Sequence, residues 1–453
     1  MIPAPSSAAP ANNHGRMHRH NRMQPPPMRP PRGNVNPLPR QARPSEYPRP
    51  PIPGENNARP DTRVKQLKKA NINIATLNIN GATSRDVPLL SKWSEISSTL
   101  YEHKIAILAI QETHMNQQMT DQVRECFSRN LNIIVSEDPT SPTSKAGVAF
   151  VINKALIKPL KVTTHKLVPG RALLLKIKWL EGCEMSILNI YAPVNRAAQP
   201  QFWQTIENER RRQSIARPHL VIGDFNITEE AIDRAPPRLD DQTATEALQN
   251  ICLKWEIQDS WRHSHPNVRE FTYRTNTRER TAQSRLDRIY CAKHLQHQLF
   301  NWKHHPATVR TDHWIVMVKY APNDAPFIGK GRWSWPRTIL EDKELIKRVS
   351  TRGITLQLDI QKWKTDGTNR EQTNPQLMWE TFKSDIKKIA KDHAKSSTHK
   401  INVRARMLEK ARKTTIATRD FDTNEALQTE EALLANEITH LGCATAKTRK
   451  EIF

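Results

Sequence analysis

The seven residues Leu220-Val221-Ile222-Gly223-Asp224-Phe225-Asn226 constrain this chain more than any other stretch. Three aliphatic residues in a row ask for a buried strand. Gly223 ends the run, and a carboxylate and an amide follow two positions apart. In extended backbone alternate side chains share a face, so Asp224 and Asn226 are expected to point the same way. A base or cation ligand beside an amide suits activation of water against a phosphate ester. Taken alone, a strand end of this composition is more often a plain turn.

Repetition of the same grammar reverses that balance. Ile74 to Gly81 reads as a strand ending in two alternate amides, Asn78 and Asn80. Ile105 to Ile110 is an apolar strand followed by Gln111-Glu112-Thr113-His114. Met185 to Pro193 carries Asn189 and Tyr191, and Ser284 to Tyr290 carries Asp287. Thr311-Asp312-His313 stands just before the apolar run Trp314 to Val318. Each segment places a polar functional group at one edge of an apolar strand. Together they supply the parts of a metal–carboxylate site with one acid–base histidine.

These segments resemble the endonuclease/exonuclease/phosphatase family, whose members include apurinic endonucleases and DNase I-like enzymes. More narrowly they resemble the endonuclease domain of long-interspersed (non-LTR) retrotransposons. The resemblance rests on Leu-Asn-Ile-Asn-Gly, Ile-Gln-Glu-Thr-His, Lys-Ala-Gly-Val-Ala at 145–149, Asn-Ile-Tyr-Ala-Pro, Gly-Asp-Phe-Asn and Asp-His, in that order. It covers roughly residues 70–322. Position 80 is Asn, where repair-type members carry Asp, and position 311 is Thr in place of the commoner Ser, which keeps the hydroxyl.

The resemblance implies an α/β fold, a two-sheet α/β sandwich flanked by helices, and a divalent-metal hydrolase. Mg²⁺, with Mn²⁺ as the alternative, prefers carboxylate oxygen and keeps several waters. Glu112 is the expected primary ligand, with Asn78 beside it. Asp312 either completes the metal site or only shapes its loop. Asp224 would accept a proton from the attacking water or orient it, and Asn226 would hold that water or a phosphate oxygen. His313 would donate to the phosphoryl oxygen whose charge grows. Such a histidine needs its other ring nitrogen anchored, and the family pattern gives that role to Asp287. Tyr191 would donate to a phosphate oxygen or stack, and Asn78 and Asn80 would fix Glu112 or a water near the metal. Arg85 and Lys145 either meet the flanking backbone of the substrate or are ordinary surface charges. Thr272, in Phe271-Thr272-Tyr273, corresponds to a loop that often faces DNA.

Charge narrows the partner. The chain of 453 residues carries a formal net charge of +24, which suggests nucleic acid or an anionic membrane as partner. Five cysteines lie at 126, 183, 252, 291 and 443 with no Cys-x-x-Cys pair, which argues against zinc and suits a reducing compartment. No run approaches the roughly 18–20 apolar residues of a membrane span, and the N-terminus has no apolar signal core. An intracellular, nuclear protein without membrane contact is expected; its protein partners are unknown.

Four regions follow from composition. Residues 1–65 form a Pro/Arg-rich tail that cannot bury enough surface to offset its ordering entropy and is expected to be disordered. Residues 66–322 hold the catalytic motifs, 323–336 a linker, and 337–453 a basic helical extension. Helical spacing is expected over Leu89–Tyr101, Gln201–Arg212 and Ala244–Lys254, and strands over Ile133–Ser136, Gly147–Ile152 and Ala172–Trp179. The short connection between Leu173–Trp179 and Glu184–Tyr191 signals a hairpin, hence mixed rather than all-parallel sheets. In the extension, Leu377–Ala394 and Ala405–Ala417 read as basic helices and Thr423–Leu441 as a more acidic one. No aromatic-x-Asp-Asp segment marks a reverse transcriptase, so an isolated or truncated endonuclease portion is expected. The sequence thus favours a metal-dependent DNA endonuclease of retrotransposon origin that nicks one strand. The alternatives are a non-catalytic nucleic-acid-binding remnant and a phosphatase of the same fold acting on phospholipid or inositol phosphate.

Overall fold

The computed structural model describes residues 69–83, 88–180, 183–276, 281–329, 333, 335, 339–340, 342–365 and 374–450. The tail over 1–65, Arg85 and part of the linker over 323–336 lie outside them.

The first strands are β1 (Ile72–Asn78), β2 (Ile105–Gln111), β3 (Leu131–Ser136), β4 (Val148–Asn153), β5 (Lys161–Val168), β6 (Ala172–Leu180), β7 (Cys183–Tyr191) and β8 (Leu220–Asp224). Then come β9 (Arg234–Ala235), β10 (Ile257–Asp259), β11 (Tyr273–Asn276), β12 (Thr281–Ser284), β13 (Asp287–Ala292), β14 (Leu299–Pro306) and β15 (Trp314–Tyr320). Two six-stranded sheets result, in the orders β14-β15-β1-β2-β4-β3 and β10-β13-β8-β7-β6-β5. Both are mixed: β1 runs parallel to β2 and β7 parallel to β8, while the other pairs are antiparallel. The expected β6–β7 hairpin is present.

The sheets stack face to face, with Ile74, Ile107, Phe150, Leu175, Ile187 and Ile222 between them. Helices cover the outer faces. Helices α1 (Leu89–Glu102) and α2 (Gln117–Phe127) lay Trp93, Ile96, Leu100 and Val123 on the first sheet. Helices α3 (Gln199–Arg212) and α4 (Gln242–Trp255) lay Phe202, Trp203, Ile206, Leu248 and Trp255 on the second. A short helix, α5 (Ser260–Ser264), follows β10. Central strands are therefore covered on both faces, and β1, β2, β4, β8 and β13 are buried at every residue. This is why β2, β4 and β8 read as nearly continuous apolar runs rather than alternating ones, while β1 and β13 carry buried polar residues among their apolar ones. Edge strand β5, rich in Lys, Thr and His, is exposed or partly exposed at all but one residue and has no such signal.

A polar link crosses the interior between the sheets. Asn189 Nδ2 of β7 donates to the carbonyl oxygens of Ile110 (3.0 Å) and Ala149 (2.8 Å) in the other sheet. Gln111 Nε2 donates to Asn189 Oδ1 at 2.7 Å and to Thr76 Oγ1 at 2.9 Å. The link fixes the two sheets in register directly beneath the strand ends that carry the polar motifs.

The C-terminal helices are α6 (Lys343–Thr365), α7 (Pro375–Ala417) and α8 (Glu425–Lys450). The two basic helices expected over 377–394 and 405–417 are one continuous helix. Its polar middle loses the apolar period, but no Gly or Pro interrupts it, so the backbone stays helical. Helix α6, which sequence patterning did not single out, packs Leu345 against Ala390 and Ala394 of α7. Ile416 and Phe421 then pack on Ala235 and Phe271 of the sandwich region. A buried charge cluster fastens this contact. Arg412 Nη1 donates to Glu270 Oε1 at 2.8 Å and its Nε to Glu431 Oε1 at 2.7 Å. Gln283 Nε2 donates to Glu431 Oε2 at 2.8 Å, and Arg274 pairs with the same carboxylate.

Candidate active site

Strand direction gathers the polar groups. The parallel pairs β1/β2 and β7/β8 bring the ends Asn78, Glu112, Tyr191 and Asp224 to one edge of the sandwich. The antiparallel neighbours β13 and β15 start at that edge, so Asp287 and His313 arrive there from the other direction. In register, Asp224 stands opposite both Asp287 and Tyr191. Gly223 allows this close fit: its φ is +139°, and a Cβ would lie 2.0 Å from the Ile190 carbonyl oxygen.

The side chains at the edge are joined by hydrogen bonds. Asn78 Nδ2 donates to Glu112 Oε1 at 2.8 Å and to Asp224 Oδ2 at 3.0 Å, bridging the two carboxylates. Its oxygen accepts from the Asn80 backbone N–H at 3.0 Å. His313 Nδ1 meets Asp287 Oδ2 at 2.8 Å. Asp287 is fully buried, its backbone N–H donates to Thr272 Oγ1 at 3.0 Å, and its Oδ1 has no partner. The Thr311 hydroxyl donates to the Asn78 carbonyl at 2.9 Å and accepts from the His313 N–H at 3.2 Å, tying the histidine turn to β1. The Tyr273 ring lies 4.8 Å from the His313 ring, centroid to centroid. A cavity of about 420 Å³ opens over the group, lined among others by Glu112, Asp224, Asn226, Asp312, His313 and Tyr273.

The model of the endonuclease/exonuclease/phosphatase family matches residues 75–313, from β1 to the histidine itself and more than half of the chain. The chain belongs to the endonuclease/exonuclease/phosphatase family. Over 283 residues it is 25% identical to the transposon TX1 uncharacterized 149 kDa protein of Xenopus laevis, a match covering 61% of this chain and 20% of that protein. The chain thus spans about a fifth of the length of that relative. It is similar to the solved endonuclease domain of TRAS1, a telomere-specific non-LTR retrotransposon, at 14% identity and a TM-score of 0.41, over 56% of this chain and 99% of that one. It is also similar to the AP endonuclease LMAP of Leishmania major, at 15% identity and a TM-score of 0.46, over 56% and 88%. An AP endonuclease of Archaeoglobus fulgidus shows 20% identity and a TM-score of 0.43, over 55% and 99%.

Within this family fold, one ligand atom each of Asp224, Asp287 and His313 lies within 4.8 Å of the others, a nuclease-type cluster able to hold a metal ion. Electrostatics divide its labour. Burial, and then the neighbouring Asp287 charge, push the Asp224 carboxyl up to about 7. Burial works against charge on His313, but Asp287 outweighs it and lifts the imidazole to about 9. Both shifts favour the protonated form: Asp287 favours a proton on His313, and burial makes Asp224 a stronger base than a free carboxylate. Burial and Glu112 raise the Tyr191 phenol, which stays a hydrogen-bond donor.

A hard divalent cation fits the donor set. The Glu112 carboxylate lines the cavity with one oxygen held by Asn78 and the other 3.7 Å from His114 Nε2, and Asp312 and Asp224 line the same space. Hard oxygen ligands around an open space suit a hard divalent cation. Glu112 is held at φ +52°, a conformation unusual for a side chain of its kind, while the Gly81 N–H donates to its carbonyl at 2.8 Å.

Several expectations need correction. Asn78 turns its nitrogen toward the carboxylates, so of its two expected roles it fills that of fixing Glu112, and it holds Asp224 as well. Asn226 is not extended: its φ is +53°, because β8 ends at Asp224. Its side chain donates to the Ala192 carbonyl at 2.9 Å and its backbone N–H to Asp224 Oδ1 at 2.9 Å, so it reaches the site by a turn rather than by strand alternation. Thr272 cannot meet a substrate through its side chain, which is wholly buried beneath Asp287. Lys145 is exposed on the loop before Gly147 and does not line the cavity. Asn80 lines it, with Nδ2 3.4 Å from Asp312 Oδ1. Arg85 lies outside the described residues. Two neighbours of the site were overlooked in the sequence. His114 stands two residues after Glu112, and Tyr273 adjoins Thr272, so a motif signal existed for both.

Proposed function

We propose that this chain is a metal-dependent phosphodiesterase that nicks one strand of duplex DNA. The observation that carries this reading is the bridged cluster Glu112–Asn78–Asp224 beside the Asp287–His313 pair at the mouth of one cavity. Mg²⁺ or Mn²⁺, held by Glu112 with Asp312, would supply Lewis-acid charge neutralisation at the phosphate. Asp224, kept close to the point of protonation, takes the proton of the attacking water. Asn78 holds the carboxylate of Asp224 in place. His313, protonated and anchored by Asp287, donates to a phosphoryl oxygen as its charge grows. Tyr191 and Asn226 supply further donors on the same side. The net charge of +24 supports an anionic polymer as substrate, and the transposon name of the similar Xenopus laevis protein supports a mobile-element origin.

The test is incubation of the purified protein with supercoiled plasmid. Nicked circles are expected with Mg²⁺ and none with EDTA. Full activity in EDTA, or hydrolysis of phospholipid or inositol phosphate without any of DNA, would overturn the assignment.

A further inference from the structure

A second, larger cavity of about 1110 Å³ adjoins the catalytic one and shares Asn80, Asp312 and His313 with it. Its opposite wall belongs to the C-terminal helix α8, through Ala432, Ala435, Asn436 and Thr439. These positions follow the 3–4 residue spacing of one helix face. The wall is not a loose neighbour. Glu431, adjacent in sequence to its first residue, is completely buried and bound by Arg412, Gln283 and Arg274. Arg274 itself lines the groove and follows Tyr273, the ring against His313. The charge cluster thus fixes α8 to the strand that borders the catalytic histidine.

We propose that the space between α8 and the sandwich is a groove for one nucleic-acid strand leaving the scissile phosphate, and that Asn436 is a strand-contacting residue in it. The proposal rests on the phosphodiesterase reading above. Continuity supports it: a polymer whose phosphate sits over His313 must leave the smaller cavity, and the larger one opens from the same residues. The chemistry of the wall supports it too. The alanines let a sugar–phosphate backbone approach closely, and the Asn436 amide, exposed on the groove side, offers both donors and an acceptor. On the facing wall Lys92 and Arg310 offset the acidic Glu95 and Asp312, so the lining sets no net negative charge against a phosphate backbone.

The experiment compares the full-length wild type with Asn436→Trp, which fills the groove from an exposed position, and with Leu433→Trp on an exposed position outside the groove lining. Two substrates are used with Mg²⁺: a labelled oligonucleotide duplex, and bis(4-nitrophenyl) phosphate, which needs only the smaller cavity. Asn436→Trp is expected to raise KM for the duplex at least about tenfold, with kcat and hydrolysis of the small diester unchanged, as for lost uniform binding. Leu433→Trp is expected to match the wild type. An unchanged duplex KM overturns the proposal. So does a parallel fall in small-diester hydrolysis, because the helix would then act on the chemistry and not on strand binding. If the wild type cleaves neither substrate, the phosphodiesterase reading fails by itself. Fluorescence anisotropy of the duplex then decides the groove: affinity at least about tenfold weaker in Asn436→Trp supports it, and equal affinity or no binding by the wild type overturns it.

Discussion

At the scale of single residues, the site depends on where one proton rests. Asp287 favours a proton on His313, and burial makes Asp224 a stronger base than a free carboxylate. Asp224→Asn removes the acceptor while keeping the hydrogen-bonding shape. His313→Ala removes the donor and leaves Asp287 buried without a counter-charge. Each is expected to lower turnover at least about 10³-fold, roughly 4 kcal/mol of barrier. Nicking rates at saturating DNA measure this, with circular dichroism to establish that the variant is folded. Near-wild-type rates in both variants would place the chemistry elsewhere. Gly223 shows a different kind of residue-level constraint, since any side chain there collides with the backbone of β7.

At the scale of elements, two features of the strands make separate predictions. The Asn189 amide joins β7 to β2 and β4 in a buried interior. Asn189→Ala strips partners from Gln111 and from two carbonyls. Unsatisfied buried polar groups cost about 1–3 kcal/mol each, so a loss of roughly 2–3 kcal/mol is expected in urea unfolding. A loss below about 0.5 kcal/mol would mean that water replaces the link at little cost. The other feature is the histidine pair at the end of β14. Burial lowers His304 to about 4 and His305 to about 3, so the fold holds both neutral. In the unfolded chain they bind protons near pH 6.5. As pH falls from about 6.5 toward 4 and then 3, the unfolded state gains protons that the folded state refuses, and stability drops. Thermal melts across that range should show the decline, and His304→Gln with His305→Gln should flatten it. An equally steep decline in the double variant would assign the acid sensitivity to other groups.

At the scale of the whole molecule, the basic extension and the sandwich share buried contacts. A chain ending at residue 322 loses the partners of Glu270, Gln283 and Arg274 and the cover over Phe271. The sandwich keeps its own three apolar clusters and is expected to stay folded. A loss of about 2 kcal/mol is expected, which lowers Tm by roughly 4–8 °C for a domain of this size. Affinity for duplex DNA should fall, and its dependence on salt should become shallower, because fewer phosphates are neutralised. Calorimetry and a binding series in salt check both. An unchanged Tm would mean that the charge cluster contributes no net stability, as buried ion pairs sometimes do not.

Much of this was legible in the sequence for a local reason. Strands covered on both faces are largely apolar, so β1, β2, β7 and β8 stood out, and the polar group at or after the end of each marked a strand end. The ordered motifs around Asn78, Glu112, Tyr191, Asp224, Asp287 and His313 carried the family resemblance, and with it the two-sheet sandwich. Local pattern failed where geometry depends on partners distant in the chain. Asn226 looked extended because two-residue spacing does not reveal that the strand ends at Asp224. Thr272 looked exposed because nothing nearby shows that Asp287 sits on its hydroxyl. The charges of Arg412 and Glu431 read as solvated helix faces, and only packing of α7 and α8 against the strands of Gln283 and Arg274 buries them. Sequence by itself determined which residues belong to strand ends and what chemistry they can do. Tertiary structure decided which of them meet, because direction and register of strands, and the docking of a remote helix, are set by contacts that no local run of residues contains.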